Sequence, residues 1–206
     1  MHRLRRPPRG NLRWFLLVVA VDLFAYYGTI LLNRGAVYHT MDLPLDAYIP
    51  FVPAMMLVYV LAFVQWFLCY ALIVWEPPRQ CRYFALGTVF TELLCAACFL
   101  LWPTWMANRP VPEGTDFVSR LTAFIFAADD PSRNLFPSLH CAFSWICLRV
   151  TLASERVKTP LRVANAMFTL LVFASVVLVK QHVVVDIPAG VAAAELGLLL
   201  SRLCRR

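Results

Sequence analysis

The sequence predicts an all-α, polytopic membrane protein that folds as a single domain over residues 1–206. Of its residues, 61% are hydrophobic and only 15% are charged, whereas soluble proteins average roughly 45–50% apolar and about 25% charged residues. A membrane-crossing helix needs about 20 mostly apolar residues. Six apolar runs predict a bundle of six transmembrane helices, over residues 14–32, 51–75, 83–102, 139–153, 161–179 and 183–203.

The first apolar run follows a basic tail over residues 1–13 and is expected to be retained as the first span. A secretion signal has an apolar core of about 7–15 residues and a small-residue cleavage site. The run over residues 14–32 is longer than that core, and no cleavage site stands out after it.

Lysine and arginine residues predict the orientation of the bundle. With a cytoplasmic N-terminus and six spans, 14 of them fall on the cytoplasmic side and 5 on the outer side, which is the positive-inside bias. Both termini are then cytoplasmic, and we expect an integral protein of the plasma membrane. This distribution accounts for the net charge of +7 without a nucleic-acid partner, and none is predicted.

The longest connection, over residues 103–137, is predicted to be an outer loop. Apolar residues at helical spacing within it predict a short amphipathic helix over residues 116–128, with Thr115 as its candidate N-cap. We interpret Asp129 and Asp130 as capping or solvated, because no other carboxylate or histidine follows at ligand spacing. No metal or cofactor is predicted.

Three acidic residues, Asp22, Glu92 and Glu195, fall in the middle of apolar runs. A charged acid at that depth costs about 2.5–3.5 kcal/mol, so each should face the bundle, be protonated or have a partner. Interhelical hydrogen bonding is the favoured interpretation, and a proton or ion path is the alternative. The candidate partners are Gln65, Thr91 and Asn165.

Two histidine-containing stretches lie where apolar runs begin, both on the predicted outer side. His182 and Asp186 are four residues apart, so on a helix they share one face. A carboxylate so placed can hold an imidazole in one tautomer and stabilise its charge, which is half of an activated nucleophile. In the other stretch, Ser138 and His140 open the fourth run, where free backbone N–H groups suit an anion such as phosphate.

Two cations, Arg109 and Lys180, fall on the same predicted side as the histidines. Polar residues gathered at the edge of apolar spans are functional by default. We therefore predict a phosphate site at the outer membrane face, in which His140 is a candidate general acid.

These residues resemble the signature motifs of the type 2 phosphatidic acid phosphatase superfamily. Pro137-Ser138-x-His140 is similar to the second motif, and Ser175 followed by His182-x-x-x-Asp186 is similar to the third, S-R-x5-H-x3-D. Arg109-Pro110 is similar to the end of the first motif, K-x6-R-P. The resemblance covers essentially the whole chain and implies a six-helix core with its active site on the outer face.

The resemblance also implies a mechanism that needs no metal or other cofactor. His182 would attack phosphorus and become phosphohistidine, while Asp186 would orient it and stabilise its charge. His140 would protonate the leaving group and later activate the acceptor. The groups that would hold the non-bridging oxygens in the transition state are Arg109, Lys180 and Ser138. The implied partner is a phospholipid or isoprenoid lipid phosphate in the membrane.

Two positions depart from the family pattern. Trp102 stands where the first motif has lysine, and Val176 stands where the third has arginine. Both family residues bind phosphate, and Lys180 would supply a replacement cation two residues before His182. This variant is similar to the divergent branch that includes the inositolphosphoryl-transferring enzymes of sphingolipid synthesis.

The sequence leaves several functions open. A lipid phosphatase, with water as the acceptor, is the favoured hypothesis, and a lipid phosphotransferase follows if a hydroxyl is the acceptor. A non-catalytic relative that binds a lipid headgroup is supported by the two replaced cations. A transporter that uses the three buried acids is the remaining hypothesis, although no internal repeats are visible.

Overall fold

The protein is a bundle of helices in a computed structural model that describes residues 7–106, 109–129 and 132–204. The helices are α1 (Leu12–Leu32, with a π-helical turn at Phe24–Gly28), α2 (Met56–Trp75), α3 (Pro78–Leu101), α4 (Phe117–Ala128), α5 (Leu139–Ala153), α6 (Thr159–Leu178) and α7 (Asp186–Leu203). Short 3₁₀ segments lie before α2, and the described residues contain isolated β-bridges but no strand. The predicted all-α class is confirmed. Residues 1–6 of the basic tail, Asp130, and the last two arginines lie outside the described residues.

Four helical segments are long and apolar enough to cross a membrane, and they mark an integral membrane protein. They are Leu12–Leu32, Pro53–Trp75, Pro78–Leu101 and Thr159–Leu178. The two other predicted spans form α5, which has 15 residues, and α7, which has 18 residues and carries Asp186, Glu195 and Arg202. The count of six spans and the orientation of the bundle remain predictions.

Small residues let α7 lie directly against α3. A Cβ atom on Gly197 would stand 2.2 Å from Thr91 Oγ1 and 2.6 Å from the carbonyl oxygen of Gly87. A Cβ atom on Gly87 would in turn stand 2.6 Å from Leu198 Cδ2. Since lipid tails are as apolar as side chains, helices in membranes depend on such close backbone approach for their packing energy. This contact fixes the position of α7, the helix that begins at Asp186, against α3.

Replacing Gly197 by valine is expected to lower the stability of the purified protein by about 1–3 kcal/mol, because the added atoms meet backbone that cannot move aside. The measurement is thermal unfolding in detergent. Ala192→Val is the matched control, since Ala192 lies on an exposed face of the same helix. Equal melting temperatures for the two variants would contradict this account of the α3–α7 contact.

The acidic residues within the helices differ in what they contact. Glu195 accepts a hydrogen bond from Trp145 Nε1 at 2.7 Å and pairs with Arg149 at 2.9 Å. Glu92 is fully buried, and neither carboxylate oxygen has a hydrogen-bond partner among the described residues. Glu195 thus has the interhelical partners that its depth in the bundle requires.

The predicted partners of these acids bond elsewhere, so that prediction is wrong. Gln65 Nε2 donates to Asn165 Oδ1 at 2.8 Å and to Thr169 Oγ1 at 3.1 Å. Thr91 Oγ1 donates to the carbonyl oxygen of Gly87 at 2.9 Å, one turn back in its own helix. The reason is that these amide and hydroxyl groups satisfy one another or their own helix.

The amphipathic helix predicted in the long loop is α4, and its N-cap is Asp116 rather than Thr115. Asp116 has extended backbone angles, and its Oδ1 accepts from the backbone N–H of Val118 at 2.9 Å and of Ser119 at 3.2 Å. Its other oxygen accepts from the Ser119 hydroxyl at 2.5 Å. These hydrogen bonds, led by the one from the Ser119 hydroxyl, lower the pKa of the Asp116 carboxyl.

Candidate active site

The predicted pair of His182 and Asp186 forms at the start of α7. His182 Nδ1 lies 3.0 Å from Asp186 Oδ2, and the same oxygen accepts from the backbone N–H of Val183 at 3.1 Å. Asp186 is fully buried, and His182 is only 7% exposed. Because Nδ1–H donates to the carboxylate, the lone pair of His182 resides on Nε2.

The turn that carries His182 ends α6. Lys180 has a φ of +53°, the left-handed conformation that often terminates a helix. The Val176 carbonyl accepts from the backbone N–H of Gln181 at 3.0 Å and of His182 at 2.9 Å. The chain therefore reverses its direction within a few residues, and the imidazole of His182 lies at the end of the helix bundle.

Lys180 and Asp46 hold this turn from the other side. The ammonium group of Lys180 donates to the carbonyl oxygens of Asp46 at 3.2 Å and Ile49 at 2.6 Å. The buried Asp46 carboxylate accepts from the backbone N–H of Val184 at 2.8 Å. Sequence reasoning missed Asp46, because nothing local to residues 43–49 indicates a contact with residue 184.

Ser138 joins the starts of α5 and α7. Its hydroxyl oxygen accepts from the Cys141 N–H at 3.3 Å, as an N-cap does, and its own N–H donates to the carbonyl oxygen of Asp186 at 3.3 Å. A Cβ atom on Gly190 would stand 2.5 Å from the Ser138 carbonyl oxygen. Ser138 is fully buried. This close contact sets the distance between His140, in the first turn of α5, and His182.

Three aromatic side chains pack against the imidazole ring of His140. Its ring stacks on Tyr59 with centroids 4.0 Å apart and meets Trp66 and Phe63 edge-on at 4.7 and 5.3 Å. His140 Nε2 has no hydrogen-bond partner within the described part of the chain. The centroids of His140 and His182 are 6.3 Å apart, so one phosphoryl group can contact both rings.

Arg109 is held beside this site by a hydrogen bond to the side chain of Gln181. Its Nη2 donates to Gln181 Oε1 at 2.8 Å and to Asp129 Oδ2 at 2.5 Å, and its guanidinium lies 4.7 Å from the ring centroid of Phe126. The hydroxyl of Tyr26 donates to the other oxygen of Asp129 at 2.7 Å. Asp129, expected to be capping or solvated, is instead the ion-pair partner of Arg109. No local pattern indicates this ion pair, because 20 residues separate Arg109 from Asp129.

Two cavities meet at His182. One has a volume of about 580 Å³ and is lined by polar groups that include Asp46, Arg109 and Lys180. The other, of about 350 Å³, is mainly aromatic and contains His140, Tyr59 and Gln181 in its wall. The first cavity thus brings charged side chains close to His182, and the second brings aromatic rings close to it.

The two residues that depart from the motif pattern are uncharged, and Trp102 is half-exposed. Trp102 stacks on His39 with centroids 4.0 Å apart, and Val176 is fully buried in the core. A cation that sequence reasoning did not single out, Arg133, lines the aromatic cavity and lies 5.1 Å from the ring centroid of Tyr38. The site thus has a different set of cations from the one that the motifs describe.

The fold and these contacts define the class: an all-helical integral membrane protein with two histidines, an aspartate and an arginine gathered at one end of its bundle. Residues 36–200 match the family model described as the PAP2 superfamily, and the chain belongs to that superfamily, the type 2 phosphatidic acid phosphatases. Comparison with curated proteins and with solved structures gave no match. Superfamily membership suggests phosphatase-type activity.

Proposed function

We propose that the protein is a lipid phosphatase that hydrolyses a lipid phosphate or diphosphate at the outer membrane face through a phosphohistidine on His182. The observation that carries this proposal is the geometry of His182, which is oriented by a buried carboxylate at 3.0 Å and faces His140 with centroids 6.3 Å apart. A nucleophile, its orienting group and a second acid–base group are the parts that covalent catalysis requires.

In the first step, His182 Nε2 attacks phosphorus and the bond from phosphorus to the leaving oxygen breaks. Asp186 stabilises the positive charge that develops on the His182 ring. His140 gives a proton to the departing oxygen, so that an alcohol or a phosphate leaves rather than its anion. The lack of a partner for His140 Nε2 in the described residues supports this role.

In the second step, water attacks the phosphorus of the phosphohistidine. His140, now neutral, takes a proton from that water, and the bond from phosphorus to His182 Nε2 breaks. The products are inorganic phosphate and the original histidines. His182 therefore accepts the phosphoryl group in the first step and releases it in the second. His140 donates a proton in the first step and accepts one in the second.

Arg109 is the cation best placed to stabilise the non-bridging oxygens. It lines the polar cavity beside His182, and Gln181 holds it there at 2.8 Å. Charge that gathers on those oxygens in the transition state is stabilised by such preorganised donors. Lys180 also lines this cavity, although its ammonium bonds two loop carbonyls, and Ser138 contributes through the helix start that it caps.

A transferase that moves a phosphoryl headgroup to a lipid hydroxyl is the second candidate. The two cavities that meet at His182 favour it, because they offer separate places for a donor and an acceptor on opposite sides of one nucleophile. The chemistry of the first step is unchanged, and only the acceptor in the second step differs.

Phosphate release from a panel of lipid phosphates and diphosphates tests the proposal, with purified full-length protein in detergent and with a chelator present. We expect release that the chelator does not reduce. Release that requires an added divalent cation would contradict the metal-independent mechanism. If no phosphate is released but label is transferred to an added lipid alcohol, the protein is a transferase and not a phosphatase.

His140→Ala should slow turnover most for substrates with poor leaving groups. We expect a loss of about 10²- to 10⁴-fold for an alkyl phosphate, because general acid catalysis contributes that much, and a much smaller loss for an aryl phosphate with an acidic phenol. The measurement compares kcat/KM, which reports on the steps up to departure of the leaving group, for the two substrates. An equal loss for both would show that His140 does not protonate the leaving group.

A further inference from the structure

A second polar cavity lies at the end of the bundle opposite to the histidines. It has a volume of about 310 Å³, and α7 separates it from Asp186 by the length of the helix, about 27 Å for 18 residues at 1.5 Å each. Its wall combines the start of α1, the start of α3 and the end of α7. The charged residues in this wall are Arg9, Arg13, Arg79 and Arg82.

The segment that carries Arg9 and Arg13 is fixed in place by Asn11. The Asn11 side chain is only 2% exposed, and its Nδ2 donates to the carbonyl oxygens of Val74 and Glu76, each at 2.9 Å. These are carbonyl groups that the end of α2 would otherwise leave without a partner. The two arginines therefore have defined positions next to the turn at residues 76–78.

Arg79 and Arg82 lie in the first turns of α3, which begins at Pro78. The positive end of the helix dipole at such a start favours an anion. The far wall is anchored by Ser201, whose hydroxyl donates to the Tyr83 carbonyl at 2.8 Å. Arg202 follows in the same helix and donates to the Tyr83 hydroxyl at 3.2 Å.

Among the described residues, no carboxylate balances the four arginines of this cavity. The described part of the wall contains no aspartate or glutamate, and none of the four arginines forms an ion pair there. Glu76, in the adjacent turn, is engaged by Ser154 and Arg156. These four exposed guanidinium groups give the cavity a positive potential, which attracts anions.

We propose that this cavity binds a phosphate-bearing anion of high charge, supplied by a phosphorylated lipid headgroup or by a soluble phosphate ester. Guanidinium groups bind phosphate oxygens in bidentate pairs, which a single lysine cannot do. Trp14 also lines the cavity, with the Arg13 guanidinium 5.3 Å from its ring centroid, and tryptophan is enriched at the level of lipid headgroups. The site is separate from the candidate active site and does not depend on its activity.

Binding of two probes by the purified full-length protein tests this proposal. One probe is phosphatidylinositol bisphosphate in phosphatidylcholine nanodiscs, and the other is free inositol trisphosphate. We expect Arg82→Gln to weaken binding about tenfold and the Arg79→Gln/Arg82→Gln double variant about 100-fold, which is the scale of one or two lost charge-assisted bonds. Both side chains are exposed, so thermal unfolding should stay as in the wild type.

Two control variants test whether the loss of binding is specific to this cavity. Lys158→Gln removes one charge from an exposed residue at the same end of the bundle but outside the cavity, and His182→Ala alters only the candidate active site. Neither should change binding. Binding of the nanodisc probe alone assigns the ligand to a lipid headgroup, and binding of both assigns it to the phosphate ester itself. Binding of neither probe, or an equal loss in Lys158→Gln, would overturn the proposal.

Discussion

Replacing His182 by alanine is expected to reduce turnover by at least about 10⁴-fold, which is the scale seen when an enzyme loses its nucleophile. Among the described residues, no other side chain contacts Asp186 Oδ2, which His182 Nδ1 approaches to 3.0 Å. Phosphoenzyme formation should be lost with turnover, because the phosphorylated atom has been removed. The measurement is kcat on the preferred lipid phosphate.

His39→Ala is the matched control for this variant. His39 also lies before a helix on the predicted outer side, but it stacks on Trp102 and lines neither cavity at His182. Its loss should leave kcat within about twofold of the wild type, as expected of a substitution away from the reacting atoms. His182→Gln, which keeps a polar group beside the buried carboxylate, separates loss of chemistry from loss of fold. Substantial turnover by both His182 variants would contradict the assignment of the nucleophile.

Asp186→Asn is expected to reduce kcat by about 10²- to 10³-fold while the fold is retained, because one preorganised electrostatic contact is worth about that much. The asparagine oxygen can take the place of Asp186 Oδ2, which accepts from the Val183 N–H at 3.1 Å and lies 3.0 Å from His182 Nδ1. Both hydrogen bonds and the tautomer of His182 are then kept, but the negative charge is lost. The positive charge that develops on the His182 ring during attack is therefore less well stabilised.

This second result is diagnostic because the substitution removes one negative charge and changes almost no volume. Thermal unfolding should remain close to that of the wild type, while activity falls. KM should change little, because the carboxylate does not touch the substrate in the proposed mechanism. An unchanged kcat would show that Asp186 has only a structural part, as the anchor of the Val183 N–H.

Local spacing explains what the sequence could predict. Four apolar runs that were predicted as spans are helices long enough to cross a membrane, because length and composition alone decide that property. The contact between His182 and Asp186 follows from a spacing of four residues. The cap at Ser138 follows from its position directly before an apolar run.

Contacts between distant segments could not be predicted in the same way. Asp46 holds the backbone at Val184 across 138 residues, and Arg109 meets Gln181 across 72. No local pattern marks either contact. Lys180 illustrates the same limit, since its place beside His182 suggested a phosphate ligand, whereas its ammonium bonds the carbonyl oxygens of Asp46 and Ile49.

The shorter helices show where composition gives an incomplete answer. α7 carries three charged residues within 18, and α5 has only 15 residues, so neither has the composition of an independent span. Both begin at the candidate active site, with His140 in one and Asp186 in the other. Their helix starts meet through the N–H of Ser138 and the carbonyl oxygen of Asp186. Asp186 is therefore both one of the charged residues that make α7 a poor span and a part of the candidate active site.

Direct detection of the phosphorylated residue tests the central claim most closely. The full-length protein would be mixed with a labelled lipid phosphate, quenched under alkaline conditions that preserve phosphohistidine, digested, and sequenced by mass spectrometry. We predict a labelled phosphoryl group on His182 that is absent from His182→Ala and that loses its label when excess unlabelled substrate is added before the quench. A phosphoryl group on any other residue, or substrate turnover without a phosphoenzyme in the wild type, would contradict the mechanism.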